Sequence, residues 1–156
     1  MDKQKLMQEF ETSFQKMKRE LGFKASFEEL EEVFYLKDGI LKAGFVSDHL
    51  SRQVCSRITE LYLSWINHLH SLLIPNGGNM ISSSEMKTLN DEDRKKMWSI
   101  IVAGMELVDR NALIGLEKNK AEEGKFIDDS LNLWNSSVNK ELKTIFKKLQ
   151  GAWKGS

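Results

Sequence analysis

The sequence predicts an all-α protein, a single-domain bundle of about five helices over residues 1–156, and three observations carry that expectation. Apolar residues recur at helical spacing in successive stretches of the chain. No stretch sustains the two-residue alternation of a half-buried strand, and the turn signals that join strands are absent between the apolar runs.

In the first stretch Leu6, Phe10, Phe14 and Met17 lie on one helical face, and Leu21 continues the line up to Gly22, a C-terminal stop. Ser26 with Glu29 is a capping-box pattern, so a second helix should begin at Phe27, carry Leu30, Phe34 and Leu41 on one side and end at Gly44. Residues 47–74 form the expected central helix, long and free of Gly, Pro and Lys. Its stripe of Leu50, Val54, Ile58, Leu61, Trp65, Leu69 and Leu72 is widened by Cys55, Tyr62, Ile66 and Leu73 to roughly 160°, where a single neighbour needs only about 100°. Ser47, with Val46 ahead of it, opens this helix, and Pro75-Asn76-Gly77-Gly78 closes it.

Residues 76–89 turn to Asn, Gly and Ser and are expected to form a long surface loop, with at most a helical turn at 83–88. Asn90-Asp91-Glu92-Asp93 then supplies a cap and an acidic first turn for a helix reaching about residue 120. Met97, Trp98, Ile101, Met105, Val108, Ala112 and Leu116 mark one side of it, while Ile100, Leu107 and Ile114 populate the other. Being apolar nearly all round, it should be buried on most faces. The last helix, from about Glu122 to Ala152, holds Ile127, Leu131, Trp134, Val138, Leu142, Ile145 and Leu149 in a stripe of roughly 80° and should pack with one face only.

Lys plus Arg and Asp plus Glu number 23 each, so no global field draws the chain toward nucleic acid or an acidic membrane. The lone Cys55 lies on an apolar stripe and can form neither an internal disulfide nor a thiolate metal cage, which makes the cytoplasm the expected compartment. The start MDKQKLMQEF lacks the apolar segment of a signal peptide. The longest apolar run, Ile100 to Met105, is far short of the roughly 20 residues that span a bilayer, so no membrane insertion is expected.

Two groups of residues are candidates for function. On the polar side of 47–74, His49, Gln53, Ser56, Glu60, Ser64, Asn67 and Ser71 fall within roughly 80°, a face of short hydrogen-bonding groups rather than Lys and Glu. Either another element covers it through hydrogen bonds, or it is an interaction face with His49, Gln53, Glu60 and Asn67 as its candidates. Asp109 and Asp38 fall where their helices call for apolar residues, and Arg52 and Arg57 are the expected partners of such buried carboxylates. Asp38, Arg57, His68, Asp109 and Asn111 thus form a candidate polar pocket within the bundle.

No catalytic constellation, metal site or cofactor is expected. None of His49, His68 and His70 follows a carboxylate by three residues, as di-iron bundles require, and His68 and His70 point about 200° apart on a helix. The run Glu28-Glu29-Leu30-Glu31-Glu32 contains the Glu-Glu-x-x-Glu spacing with which all-α nucleotide pyrophosphatases hold Mg²⁺. Its second acidic pair would have to be Glu106 and Asp109, which point in different directions, so the run reads as a solvated face. The segment Asn119–Ser130 has Ala121 where a calcium loop needs an oxygen ligand and Ser130 where it needs a closing bidentate carboxylate.

The leading expectation is therefore a non-enzymatic helical protein acting through protein–protein contact or assembly. A homodimer is favoured, because the apolar arcs exceed what the remaining helices can cover and Trp98, Phe146 and Trp153 lie off the main stripes. One alternative is a ligand-binding or metal-assisted enzyme using the polar pocket. The other is a nucleic-acid-associated helper using Lys140, Lys143, Lys147 and Lys154 of the last helix, although Asp129 shares that face and no aromatic is interleaved to stack a base.

Overall fold

The structure, a computed structural model, describes residues 2–74 and 80–155; helix accounts for 86% of them, and none is in a strand. α1 (Lys3–Leu21) starts at Asp2, whose carboxylate accepts from the Gln4 N–H, and stops at Gly22, where φ is 71° and the N–H returns to the Lys18 carbonyl. Such a left-handed helix end strains glycine least. α2 (Phe27–Phe34) opens with the full capping box between Ser26 and Glu29.

The second expected helix is in fact two. Tyr35 takes φ 52° and ends α2, after which α3 (Leu36–Ala43) runs to Gly44. The break carries neither Gly nor Pro, so the sequence pattern ran through it. α4 (Leu50–Leu73) is the long central helix, and α5 (Met80–Met86) gives helical structure to a stretch expected to be loop. Pro75 to Gly78, the expected stop of the central helix, lie outside the described residues.

α6 (Asp91–Glu117) and α7 (Lys120–Leu133) follow, then a π-helical turn (Trp134–Val138) that leads without a break into α8 (Asn139–Lys154). With that continuous rod taken as one, the described residues form seven helices where about five were expected. Among these residues no helix is long and apolar enough to cross a membrane.

The contacts gather into two compact units. The first comprises residues 1–61 and 107–132. Its core holds edge-on pairs among Phe10, Phe14, Phe23 and Phe27, with ring centroids 5.1–6.3 Å apart. Leu30, Phe34, Leu36, Ile40, Val54, Ile58, Phe126 and Ile127 are buried in the same unit. Asp128 of α7 accepts from the N–H groups of Lys24 (2.9 Å) and Ala25 (2.8 Å), so the α1–α2 connection is tied to α7 by main-chain bonds to a carboxylate.

The second unit comprises residues 62–106 and 133–156. Tyr62, Ile66, Leu69, Leu72, Met97, Ile100, Val138, Leu142, Ile145 and Leu149 are buried in it. Asp93 caps α6 reciprocally with Asn90 and also receives Lys148 Nζ of α8 at 2.8 and 2.9 Å. Burial works to raise the Asp93 pKa, but the bonds from Lys148 and the Asn90 N–H outweigh it and hold the carboxyl below its usual range. Gly104 lets α6 approach α4 here: a Cβ on it would stand 2.7 Å from Ile66 Cδ1.

Two expectations about faces are corrected. α6 is not buried on most sides, since Trp98, Val102, Asp109, Ala112, Leu113 and Leu116 are all exposed. The polar side of α4 is not covered either: His49, Ser56 and Glu60 in the first unit, and Ser64, Asn67 and Ser71 in the second, are exposed.

Candidate functional site

The first half of α4 and the whole of α3 shape a groove of about 360 Å³ in the first unit. Phe10, Leu36, Ile40 and Val54 line it as buried apolar groups, and Phe45 stands beside them 57% exposed. Its polar lining includes His49, Gln53, Arg57 and Glu60, so three of the four interaction-face candidates share it with one member of the candidate polar pocket. The fourth interaction candidate, Asn67, is exposed in the second unit.

Local backbone chemistry explains this geometry. Gln53 accepts from the Ser47 N–H at 3.0 Å and donates to the Phe45 carbonyl at 3.1 Å, fastening the α3–α4 connection onto α4. Arg57 lies along α3 over Gly39, where an added Cβ would come within 3.1 Å of its Cδ. Its Nε donates to the carbonyls of Phe34 and Tyr35, supplying partners at the end of α2 where helical carbonyls go unpaired, and its Nη1 pairs with Glu60 at 2.9 Å.

The candidate polar pocket is distributed differently from the expectation. Asp38 and Asp109 are both exposed, so neither is the buried carboxylate that its helical position suggested. The projection placed Asp109 among apolar neighbours, but that side of α6 faces outward. His68 belongs to the second unit and is exposed, its ring 5.1 Å from Phe146 and 6.3 Å from Trp65. Trp65, Trp134 and Phe146 are half-buried, so Phe146 is not among the exposed hydrophobes, whereas Trp98 and Trp153 are. Lys140, Lys143, Lys147 and Lys154 are exposed on α8.

Only Asn111 of the five candidates is buried, and it joins a polar cluster that the sequence reading missed. Arg52 Nη2 donates to Asn111 Oδ1 at 2.8 Å, Asn111 Nδ2 donates to Thr59 Oγ1 at 2.9 Å, and that hydroxyl donates to the Cys55 carbonyl at 2.9 Å. The buried acid is Glu123 of α7, its side chain 3% exposed and its Oε2 3.6 Å from Arg52 Nη1. A signal existed: Glu123 sits one turn before Ile127, on the stripe that continues through Leu131. Arg52 and Arg57 therefore pair with Glu123 and Glu60, and neither Asp38 nor Asp109 is their partner.

Cys55 is fully buried beside this cluster. Burial, reinforced by Glu123 and opposed by Arg52, pushes its thiol up to about 12. The thiolate, which is the nucleophile, is then scarce at neutral pH. An aromatic disulfide reagent at about pH 8 should label Cys55 at least roughly a hundredfold more slowly in the folded chain than in denaturant. Equal rates in the two conditions would refute this.

Among the described residues no three of His, Cys, Asp and Glu gather as a metal site would require. Glu28, Glu29 and Glu32 are exposed, with Glu29 engaged in the α2 cap, and Glu31 accepts from the Lys37 N–H. Comparison of the chain with protein-family models, curated proteins and solved structures finds no match.

Proposed function

We propose that this protein acts through protein–protein contact, with the α3–α4 groove receiving an amphipathic segment of a partner. The observation that carries this reading is the groove's make-up: an apolar floor of Phe10, Leu36, Ile40 and Val54, an exposed Phe45, and a polar rim including His49, Gln53, Arg57 and Glu60. An apolar centre with a polar rim is the usual anatomy of a contact surface.

The rim chemistry favours a partner side chain over a reacting substrate. Arg57 and Gln53 already bond to main-chain groups of their own chain, and Arg52 is held by Asn111. A polar small molecule would have to displace those bonds, whereas an apolar side chain resting on Phe45, Ile40 and Val54 displaces none of them. An acidic or amide group in the same segment could meet His49 and Ser56 at the rim, both of them exposed.

The test compares quantitative affinity capture by the wild-type chain and by Phe45→Glu. A specific partner should fall by at least about tenfold with the variant, since a charge at an apolar contact centre is costly to desolvate. It should be recovered undiminished by Leu116→Glu, a change at an exposed position of α6 outside the groove. Equal recovery by wild type and Phe45→Glu would overturn the groove as the contact surface.

A further inference from the structure

In the second unit, α6 presents a four-residue ridge at successive i, i+4 positions: Arg94, Trp98, Val102 and Glu106. Trp98 is 43% exposed and Val102 64%, where an ordinarily solvated helix would carry Lys or Glu. The apolar strip continues sideways, because the His70 ring stands edge-on to Trp98 at 6.5 Å and Ile74, one turn further along, is exposed. At the ends of the ridge the charges are opposite.

We propose that this ridge is a docking surface for a second copy of the same chain. The pattern is self-complementary. When two copies meet antiparallel about a two-fold axis midway between Trp98 and Val102, each Trp98 meets the partner's Val102 and each Arg94 meets the partner's Glu106. An isologous contact needs this property: the same patch, read in opposite directions, must match itself in shape and in charge.

The packing geometry agrees. Ridges made of i±4 rows interdigitate at a crossing angle of about −50°, with helix axes roughly 8–10 Å apart. The small Val102 leaves room opposite the large Trp98, and the long Arg and Glu side chains reach across the gap that widens away from the crossing point. Glu106 has no ion pair or side-chain hydrogen bond among the described residues, so it is open to a partner. Arg94 is steadied by Asp91 and by the Met86 carbonyl, and its side chain is still 42% exposed.

Sedimentation of the full chain at micromolar concentration tests the proposal, with circular dichroism confirming that each variant is folded. The wild type should run at twice the 18.0 kDa chain mass. Glu106→Arg and Arg94→Glu, each alone, should weaken association by at least about tenfold, because each sets like charges opposite one another. An equimolar mixture of the two variants should associate again, since every facing pair is then opposite in sign. A wild type that stays at 18.0 kDa over a tenfold concentration range overturns the proposal. So does undiminished association of the single variants, or a mixture that remains monomeric. Glu106 is exposed and outside the core, so Glu106→Arg alone decides the matter should Arg94→Glu unfold.

Discussion

Replacing Arg52 with methionine is expected to destabilise the protein by about 3–5 kcal/mol, because it strips the cation from an acid that cannot reach water. The Glu123 side chain is 3% exposed, and the Arg52 guanidinium is its ion-pair partner, at 3.6 Å. The same guanidinium bonds both the side chain and the main-chain carbonyl of the buried Asn111, so the substitution also leaves that amide without a donor. Methionine retains most of the apolar stem, which isolates the loss of charge from the loss of packing.

The reverse truncation should be milder. Glu123→Gln keeps the shape and removes the buried charge, leaving an arginine that is still about one-third exposed and still bonded to Asn111, and should cost on the order of 1 kcal/mol. The exposed Asp109→Ala should cost less still, within about 0.5 kcal/mol. Urea denaturation of the three variants measures the order directly. Coincident midpoints for Arg52→Met and Glu123→Gln would show that Arg52 does not stabilise a buried charge.

Gly124→Ala is the second large effect, an expected loss of about 2 kcal/mol at a helical position where alanine would ordinarily add about 1. A Cβ at Gly124 would lie 2.9 Å from the Leu21 carbonyl oxygen and 3.3 Å from Leu21 Cβ. The obstacle is main chain, fixed at the end of α1, so the whole contact between α1 and α7 has to open. Gly104→Ala meets a closer atom, Ile66 Cδ1 at 2.7 Å, but that is the tip of a side chain that can rotate away. Its net change should stay within about 1 kcal/mol. Thermal melts that rank Gly104→Ala as the more damaging of the two would contradict this distinction between main-chain and side-chain obstacles.

Periodicity made the helical class and most of the buried positions legible. Leu6, Phe10, Phe14 and Met17 of α1, and Leu50, Val54, Ile58, Leu69 and Leu72 of α4, are buried where the spacing placed them. What periodicity cannot see is a break made without Gly or Pro, such as the left-handed Tyr35 between α2 and α3, after which Leu36 and Ile40 are the buried side and the expected Leu41 is only half-buried. Nor can it tell which side of an all-apolar helix meets a neighbour, and so Asp109 was placed inside. The groove was half legible: His49, Gln53 and Glu60 stood out as an unusual polar side of one helix, but its floor comes from Phe10, Leu36 and Ile40, far away in the chain. Glu123 was hidden because an acid in the first turn of a helix has a sufficient local explanation in the dipole.

The π-helical turn at Trp134–Val138 changes the arithmetic of everything after it. A turn of this kind holds one residue more than α-helical winding would use, so the chain through α7 and α8 carries a spare position in its count. Winding the same residues as plain α-helix would swing each later side chain by about 100° around the axis. Removing one residue between Trp134 and Val138 would instead let the rod wind as α-helix with the later side chains close to their present directions. In the undeleted α-helical form Lys148 would leave the cap at Asp93, and Leu142, Ile145 and Leu149 would turn away from the interior together. The wide turn thus absorbs the spare residue and keeps the sixteen residues of α8 facing their own core.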